Sequence, residues 1–481
     1  MGNRYLEGGF APLRQEYTLT DLAVTGTIPD HLDGRYLRNG PNPVGALDPE
    51  LYHWFLGDGM VHGVRIRDGK AEWYRNRWVR GPQTARALGE EPPARAAAGM
   101  GAGANTNVIG HAGRTLAIVE GGGPAYELTD ELDTVDVCDF DGTLTGGYTA
   151  HPKRDPGTGE LHAVSYSFGR ARSVQYSVIG VDGRARHTVD IAVTGSPMMH
   201  DFSLTENYVV LYDLPVTLDG GMIAERAVPR SVPSALRLPA RLMLSALIGR
   251  VKIPSPPVRP NATPSRDRRM PYTWNPKYPA RIGVMPRAGG DADVRWFDIE
   301  PCYVFHPMNA YEDNGVIVLD VVRYPTMFEP GHRGPSGPAT LDRWEVDLAA
   351  DKVRESRIDD RAQEFPRVDE RLIGRRHRYG YAPAVADNLA GRAQLFKHDL
   401  HAGTTAVRSF GAGKELGEFV FEPSSPDAAE DEGVLMGFVY DAPTDRSELA
   451  ILDAGTLETV ASIALPHRVP AGFHGNWVPS F

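Results

Sequence analysis

TAHPKRDPGTGELHAVSYSF (149–168) carries the pattern that decides the fold: a histidine, a polar turn, then a run of β-rich residues. His151 stands one turn-length ahead of its run at 161–168. The same unit returns with His200 ahead of 208–216 (YVVLYDLPV), and with His306 ahead of Val316 in 315–324 (GVIVLDVVRY). Thr106 stands in the same relation to 114–120 (RTLAIVE), a copy of the unit in which threonine replaces histidine. From His151 to His200, from there to His306, and on to His474, the steps lengthen in order. They approximate one, two and three times a period of about 50, the size of a four-stranded propeller blade, with irregular loops making up the excess. His474 lies in FHGNWVPSF (473–481), with no following run of its own. Its blade is therefore predicted to take a strand from the N-terminal part of the chain, closing residues 1–481 into a single all-β domain.

The rest of the chain has the same texture. Residues 433–465 read as a three-strand meander (GVLMGFVY, ELAILD, ETVASIAL), and Asp182-Gly183 signals a hairpin. Helical periodicity is scarce. The 52 Gly and 39 Pro are dispersed, as many short strands joined by turns require. A net charge of −11 gives no attraction to nucleic acid or acidic membranes, so nucleic acid is excluded as an expected partner. Cys138 and Cys302 are too few for a disulfide framework or a thiolate metal site and are expected to be small buried apolar residues. Neither a signal-peptide-like apolar run nor a membrane-spanning length of uncharged apolar residues is present, which predicts a cytoplasmic, non-spanning protein.

Residues 226–270 break the pattern, with ten Lys or Arg against one acid, Asp267. Within them SALRLPARLMLSALIGR (234–250) predicts a short amphipathic helix, kinked or started at Pro239. Two placements are expected: contact with a membrane interface at the inner membrane surface, or a helix folded over the propeller face with its arginines in water.

Four histidines at one point of successive repeats converge on a propeller axis, a geometry for a metal. Imidazole suits iron, copper, zinc and nickel, so the spacing leaves the metal's identity open. Neutral ligands leave the 2+ charge uncompensated, so carboxylates are expected behind them, accepting the other ring N–H. Glu120 (VEGG), Glu364 (EFPRVD) and Glu418 (GEFVFEP) are the candidates. The remaining histidines lack the repeat relation and are read as structural.

These residues belong to longer motifs: YLRNGPNP (36–43), HWFLGDGMVHG (53–63), ANTNVIGHAGRTLAIVEGG (104–122), TAHPK (149–153), MMHDFSLTENYVV (199–210), CYVFHPMNAY (302–311), EFPRVD (364–369), GEFVFEP (417–423) and FHGNW (473–477). Along nearly its whole length the chain resembles the carotenoid cleavage oxygenases. That resemblance implies a seven-bladed β-propeller under a dome of loops, with residues 226–270 as a dome insertion. It implies one iron(II) on His151, His200, His306 and His474, with Glu120, Glu364 and Glu418 behind them and no organic cofactor. Thr106 looks like the threonine whose methyl group crowds one open iron position and leaves another for O2. The implied reaction is oxidative scission of a carbon–carbon double bond into two carbonyl fragments. An apolar substrate then needs an aromatic tunnel, for which Phe55 and Phe305 are candidates.

Stilbene-cleaving relatives place a lysine just before the glutamate matching Glu120, against the substrate phenol; this chain has Val119 there. A valine offers a phenolate nothing, so a carotenoid or apocarotenoid is the expected substrate and a stilbene or phenylpropanoid the alternative. Two other classes stand behind the enzyme: a carotenoid-binding propeller without turnover, and a scaffold in which the histidines are incidental. The scaffold gives no reason for histidines in repeat register beside a glutamate set.

Overall fold

Antiparallel pairing of strands adjacent in the chain builds seven sheets, arranged as the blades of a propeller. The computed structural model describes residues 2–96, 103–144, 146–228, 233–247, 268–332, 334–386 and 391–480. Blade 2 comprises Asn107–His111, Arg114–Ile118, Ala125–Leu128 and Thr134–Cys138; blade 3 runs from Lys153–Arg154 to Ala185–Ala192. Blade 4 pairs Phe202–Leu204, Tyr208–Asp213, Arg281–Pro286 and Arg295–Asp298, and blade 5 spans Tyr303–Asp313 to Lys352–Asp359. Blade 6 holds Tyr379–Val385, Gly391–Asp399 and Thr404–Ser409, edged by isolated bridges from Gln363 and Arg367.

Blades 1 and 7 close the ring with strands from distant parts of the chain. In blade 1, Gly475–Pro479 pairs with Gly34–Pro41, putting a C-terminal strand innermost. In blade 7, Ala23–Gly26 pairs with the outer edge of the Gly433–Asp441, Arg446–Asp453, Thr459–Ala464 meander. The N-terminal contribution matches expectation; the lack of a strand after His474 does not. Asn476, Trp477 and Val478 find a ready partner edge at residues 35–37, so even this short stretch forms a strand.

The spacing argument needs a second correction. His200 and His306 belong to neighbouring blades, so their separation is one blade step and not two. After Asp213 the chain leaves blade 4 at Pro215, which has no N–H to continue the ladder. It forms a separate two-stranded sheet, Val216–Leu218 with Tyr272–Trp274, and rejoins the blade at Arg281. The excursion carries helices Gly220–Ala227 and Ser234–Leu247. The second begins ahead of Pro239 and contains it; the expected residues 248–250 lie outside the described residues. Its apolar side chains, more than its arginines, face water: Leu236, Leu238, Leu242 and Met243 are 60–67% exposed. Among the described residues no helix is long and apolar enough to cross a membrane.

Packing between blades is apolar and dense, with Trp344, Tyr36, Tyr176 and Leu319 fully buried. Both cysteines are free and buried, as expected.

Candidate metal centre

Each blade brings a residue at the start of its innermost strand to the axis. Blades 3, 4, 5 and 1 bring His151, His200, His306 and His474, all buried. One nitrogen from each lies within 4.8 Å of the others. Blade 2 brings Thr106 to this level, and blades 6 and 7 bring Glu364 and Glu418. The glutamates of blades 6 and 7 thus stand in the histidine register. Glu120 arrives differently, two residues past Ile118, where Gly121 and Gly122 at φ of 73° and 87° turn the chain out of blade 2.

Three histidines are oriented from behind. His200 Nδ1 donates to Glu120 Oε2 at 2.7 Å, His306 Nδ1 to Glu364 Oε2 at 2.5 Å and His474 Nδ1 to Glu418 Oε1 at 3.0 Å. Each carboxylate has a second donor: Tyr166 Oη at 2.7 Å for Glu120, the Phe365 amide for Glu364, and the Gly475 amide at 2.8 Å for Glu418. A carboxylate only accepts, so the ring proton sits on Nδ1 and the Nε2 lone pair points inward.

That assignment tests the fit of a cation. His200 Nε2 and His306 Nε2 face each other at 3.1 Å, two lone pairs with no proton between them. His151 Nε2 is buried without a hydrogen-bond partner. Both arrangements are costly unless a positive ion takes the lone pairs, so the donor set fits a metal. Burial, reinforced by the neighbouring histidines, holds His151 and His306 well below the usual imidazole range and so neutral. Burial pushes the Glu364 carboxyl up to about 8, with Glu418 and Asp201 adding negative charge, a shift that a cation held by the imidazoles opposes so that Glu364 accepts from His306 as a carboxylate. Arg367 and His474 instead outweigh burial at Glu418 and hold it below the usual range.

Two cavities meet at this centre, sharing His306 and His474. One, about 170 Å³, is apolar and bordered by Thr106, Val119, Phe55 and Phe305 together with Trp54, Phe365 and Phe473. Its aromatics interlock: Phe305 lies 4.8 Å from the His200 ring and 5.7 Å from Phe55, and Phe473 lies 5.4 Å from Phe55. Thr106 Oγ1 donates to Asn105 Oδ1 at 2.9 Å, which fixes its rotamer with the hydroxyl committed to its neighbour. The other cavity, about 450 Å³, is mixed, with Lys153, Asp201, Arg367 and Asn476 beside Ile109, Met308 and Val368 in its wall.

The comparisons agree with this geometry. Residues 10–479 match the model of the retinal pigment epithelial membrane protein family (RPE65). A carotenoid cleavage oxygenase of Mycobacterium tuberculosis is 58% identical over 99% of this chain and 98% of its own length. The chain belongs to the carotenoid cleavage oxygenase family. A carotenoid 9,10(9',10')-cleavage dioxygenase of Arabidopsis thaliana in the same family is 32% identical over 98% of this chain and 89% of its own. The crystal structure of Pseudomonas brassicacearum lignostilbene dioxygenase superposes with a TM-score of 0.81 at 28% identity, covering 99% and 98% of the two chains. Membership in this oxygenase family makes the chain an enzyme, a dioxygenase of carbon–carbon double bonds, on a seven-bladed propeller.

All eleven residues expected at the site are present around the centre or its apolar cavity. Sequence reasoning missed Tyr166, Trp54, Phe365, Phe473 and Tyr272. Phe365 and Phe473 each stand next to an assigned residue in EFPRVD and FHGNW, so their signal was adjacency. Tyr166 and Tyr272 carried none.

Proposed function

We propose that His151, His200, His306 and His474 hold iron(II) and that the protein cleaves a double bond of a carotenoid or apocarotenoid into two carbonyl products. The observation carrying this reading is the apolar aromatic cavity ending on His200, His306 and His474, the three carboxylate-backed members of a cluster of four buried histidines. Iron(II) bound there supplies activation of O2, with the electrons coming from the alkene itself, so that no reductant or organic cofactor is required. The chain's own contribution is orientation and exclusion of water. Phe55, Phe305 and Val119 offer a polyene flat apolar contacts and no hydrogen bond, so it is held by shape against the histidine face. Thr106 has its hydroxyl tied to Asn105, and in this reading its methyl group is the part that narrows the space beside the centre. Thr106→Ala is expected to change the KM for O2 several-fold with little change in substrate KM; an unaltered oxygen KM would remove that role.

The test is anaerobic loading of the purified protein with Fe(II), then O2 uptake and product mass with apocarotenals, carotenoids and hydroxystilbenes. Iron-dependent formation of two aldehydes from an apocarotenal is expected. Faster cleavage of a hydroxystilbene would favour the second reading, which rests on the lignostilbene dioxygenase likeness and on the phenols Tyr166 and Tyr272 in the cavity wall. Stoichiometric iron without turnover of any substrate would point to a carotenoid-binding protein.

Peripheral membrane contact through 234–247 belongs to the same proposal. The exposed Leu236, Leu238, Leu242 and Met243 suit an apolar interface, and the excursion that bears them returns through Met270, Pro271 and Tyr272 in the cavity wall. Replacing Leu238 and Leu242 by Glu is expected to cut cleavage of liposomal substrate about tenfold or more while sparing detergent-dispersed substrate, since losing even one buried leucine, at roughly 2 kcal/mol, exceeds the free energy of a tenfold change. Equal losses in the two assays would leave the helix a structural role only.

A further inference from the structure

Three of the four histidines have a glutamate of their own; His151 does not. Opposite its Nδ1, at 3.9 Å, stands Asp201 Oδ2. That is too long for a hydrogen bond, so Asp201 acts on His151 through its charge. Asp201 is buried and held by Lys153 Nζ at 2.8 Å. Lys153 follows His151 by two positions and Asp201 follows His200 directly, so the pair ties two histidine-bearing strands together. Across the axis, Arg367 Nη1 lies 3.5 Å from Glu418 Oε1 while its Nη2 reaches Glu370 and Asn476. Glu370 is half exposed, and solvent screens it.

The charges packed against the four imidazoles are therefore Glu120, Glu364, Glu418 and Asp201 on one side and Lys153 and Arg367 on the other. With a cation on the imidazoles drawing the Glu364 carboxyl back into its ionised form, four carboxylates against two cations leave an excess of two negative charges. We infer that this surplus matches the centre to a dication, with Asp201 serving as the remote carboxylate of His151 and Lys153 damping it. Neither residue bonds the imidazole, so both are positioning residues acting through the field. At these separations and low dielectric each charge is felt strongly at the axis. The inference rests on the histidines binding a divalent metal.

A purely structural brace and a charge-setting pair predict different signs. Co(II) is titrated into the purified full-length chain against a chromophoric chelator, for the unaltered protein, Asp201→Asn, Lys153→Met and the double variant. Asp201→Asn is expected to weaken Co(II) binding by roughly tenfold or more, and Lys153→Met to tighten it several-fold. The double variant restores the original net charge and is expected to bind within about twofold of the unaltered protein. Weakening by both single variants, or a change in neither, overturns the inference. Should a single variant not fold, the double variant decides alone, because a tenfold loss there reports a brace. Absence of Co(II) binding by the unaltered protein would instead sink the metal reading itself.

Discussion

A His306→Ala protein is expected to lose its metal and about a thousandfold or more of its activity. His306 borders both cavities, and its Nε2 faces that of His200 at 3.1 Å, so its removal opens the centre to the larger, charge-bearing cavity. The change also strands Glu364, whose carboxylate loses a 2.5 Å partner inside the protein, at a cost of roughly 1–3 kcal/mol in stability. Metal content, steady-state rate and thermal unfolding measured on one preparation separate the two effects. A folded variant holding one equivalent of metal and working within tenfold of the original would show that His306 is not a ligand.

The outer glutamates give the next largest effect, and the structure ranks them. Glu418 uses both oxygens: Oε1 faces His474 and Arg367, and Oε2 accepts from the Gly475 amide. A glutamine there sets an NH2 group against a donor whichever way it turns. In Glu364 the His306 and Phe365 donors both meet Oε2, which a single amide oxygen replaces. Glu418→Gln is therefore expected to lower metal affinity by about 100-fold and Glu364→Gln by nearer 10-fold, the range usual for partners behind metal-bound histidines. Chelator competition measures both, and equal or reversed losses would show that hydrogen-bond polarity does not govern the site.

What was legible in the sequence follows from what repeats. The histidine-turn-strand unit gave an all-β ring and its four axial histidines, because strand period and turn chemistry are local properties. Blade count was not local. The long gap from His200 to His306 read as two periods because an inserted dome adds residues without adding a blade. The strand after His474 was overlooked because its stability lies in the facing edge at 34–38, far away in sequence. The assignments of Glu120, Glu364 and Glu418, and of iron, leaned on family resemblance. Yet Glu364 and Glu418 occupy the histidine register of blades 6 and 7 and were open to the same counting. Tyr166 and Tyr272 reach the cavity through packing of dome against blade, which no spacing encodes.

The closing strand has a consequence for biosynthesis. Blades 2 to 6 draw their strands from successive stretches of chain, so each can form soon after leaving the ribosome. Blade 1 cannot, since Gly34–Pro41 waits for Gly475–Pro479, the strand that brings in His474. A nascent chain thus presents three imidazoles of a four-imidazole set, with the centre open on one side. Completion of the four-imidazole set is in this way timed by ring closure: whatever delays the meeting of the two distant strands also delays the moment at which a metal could be held on all four sides.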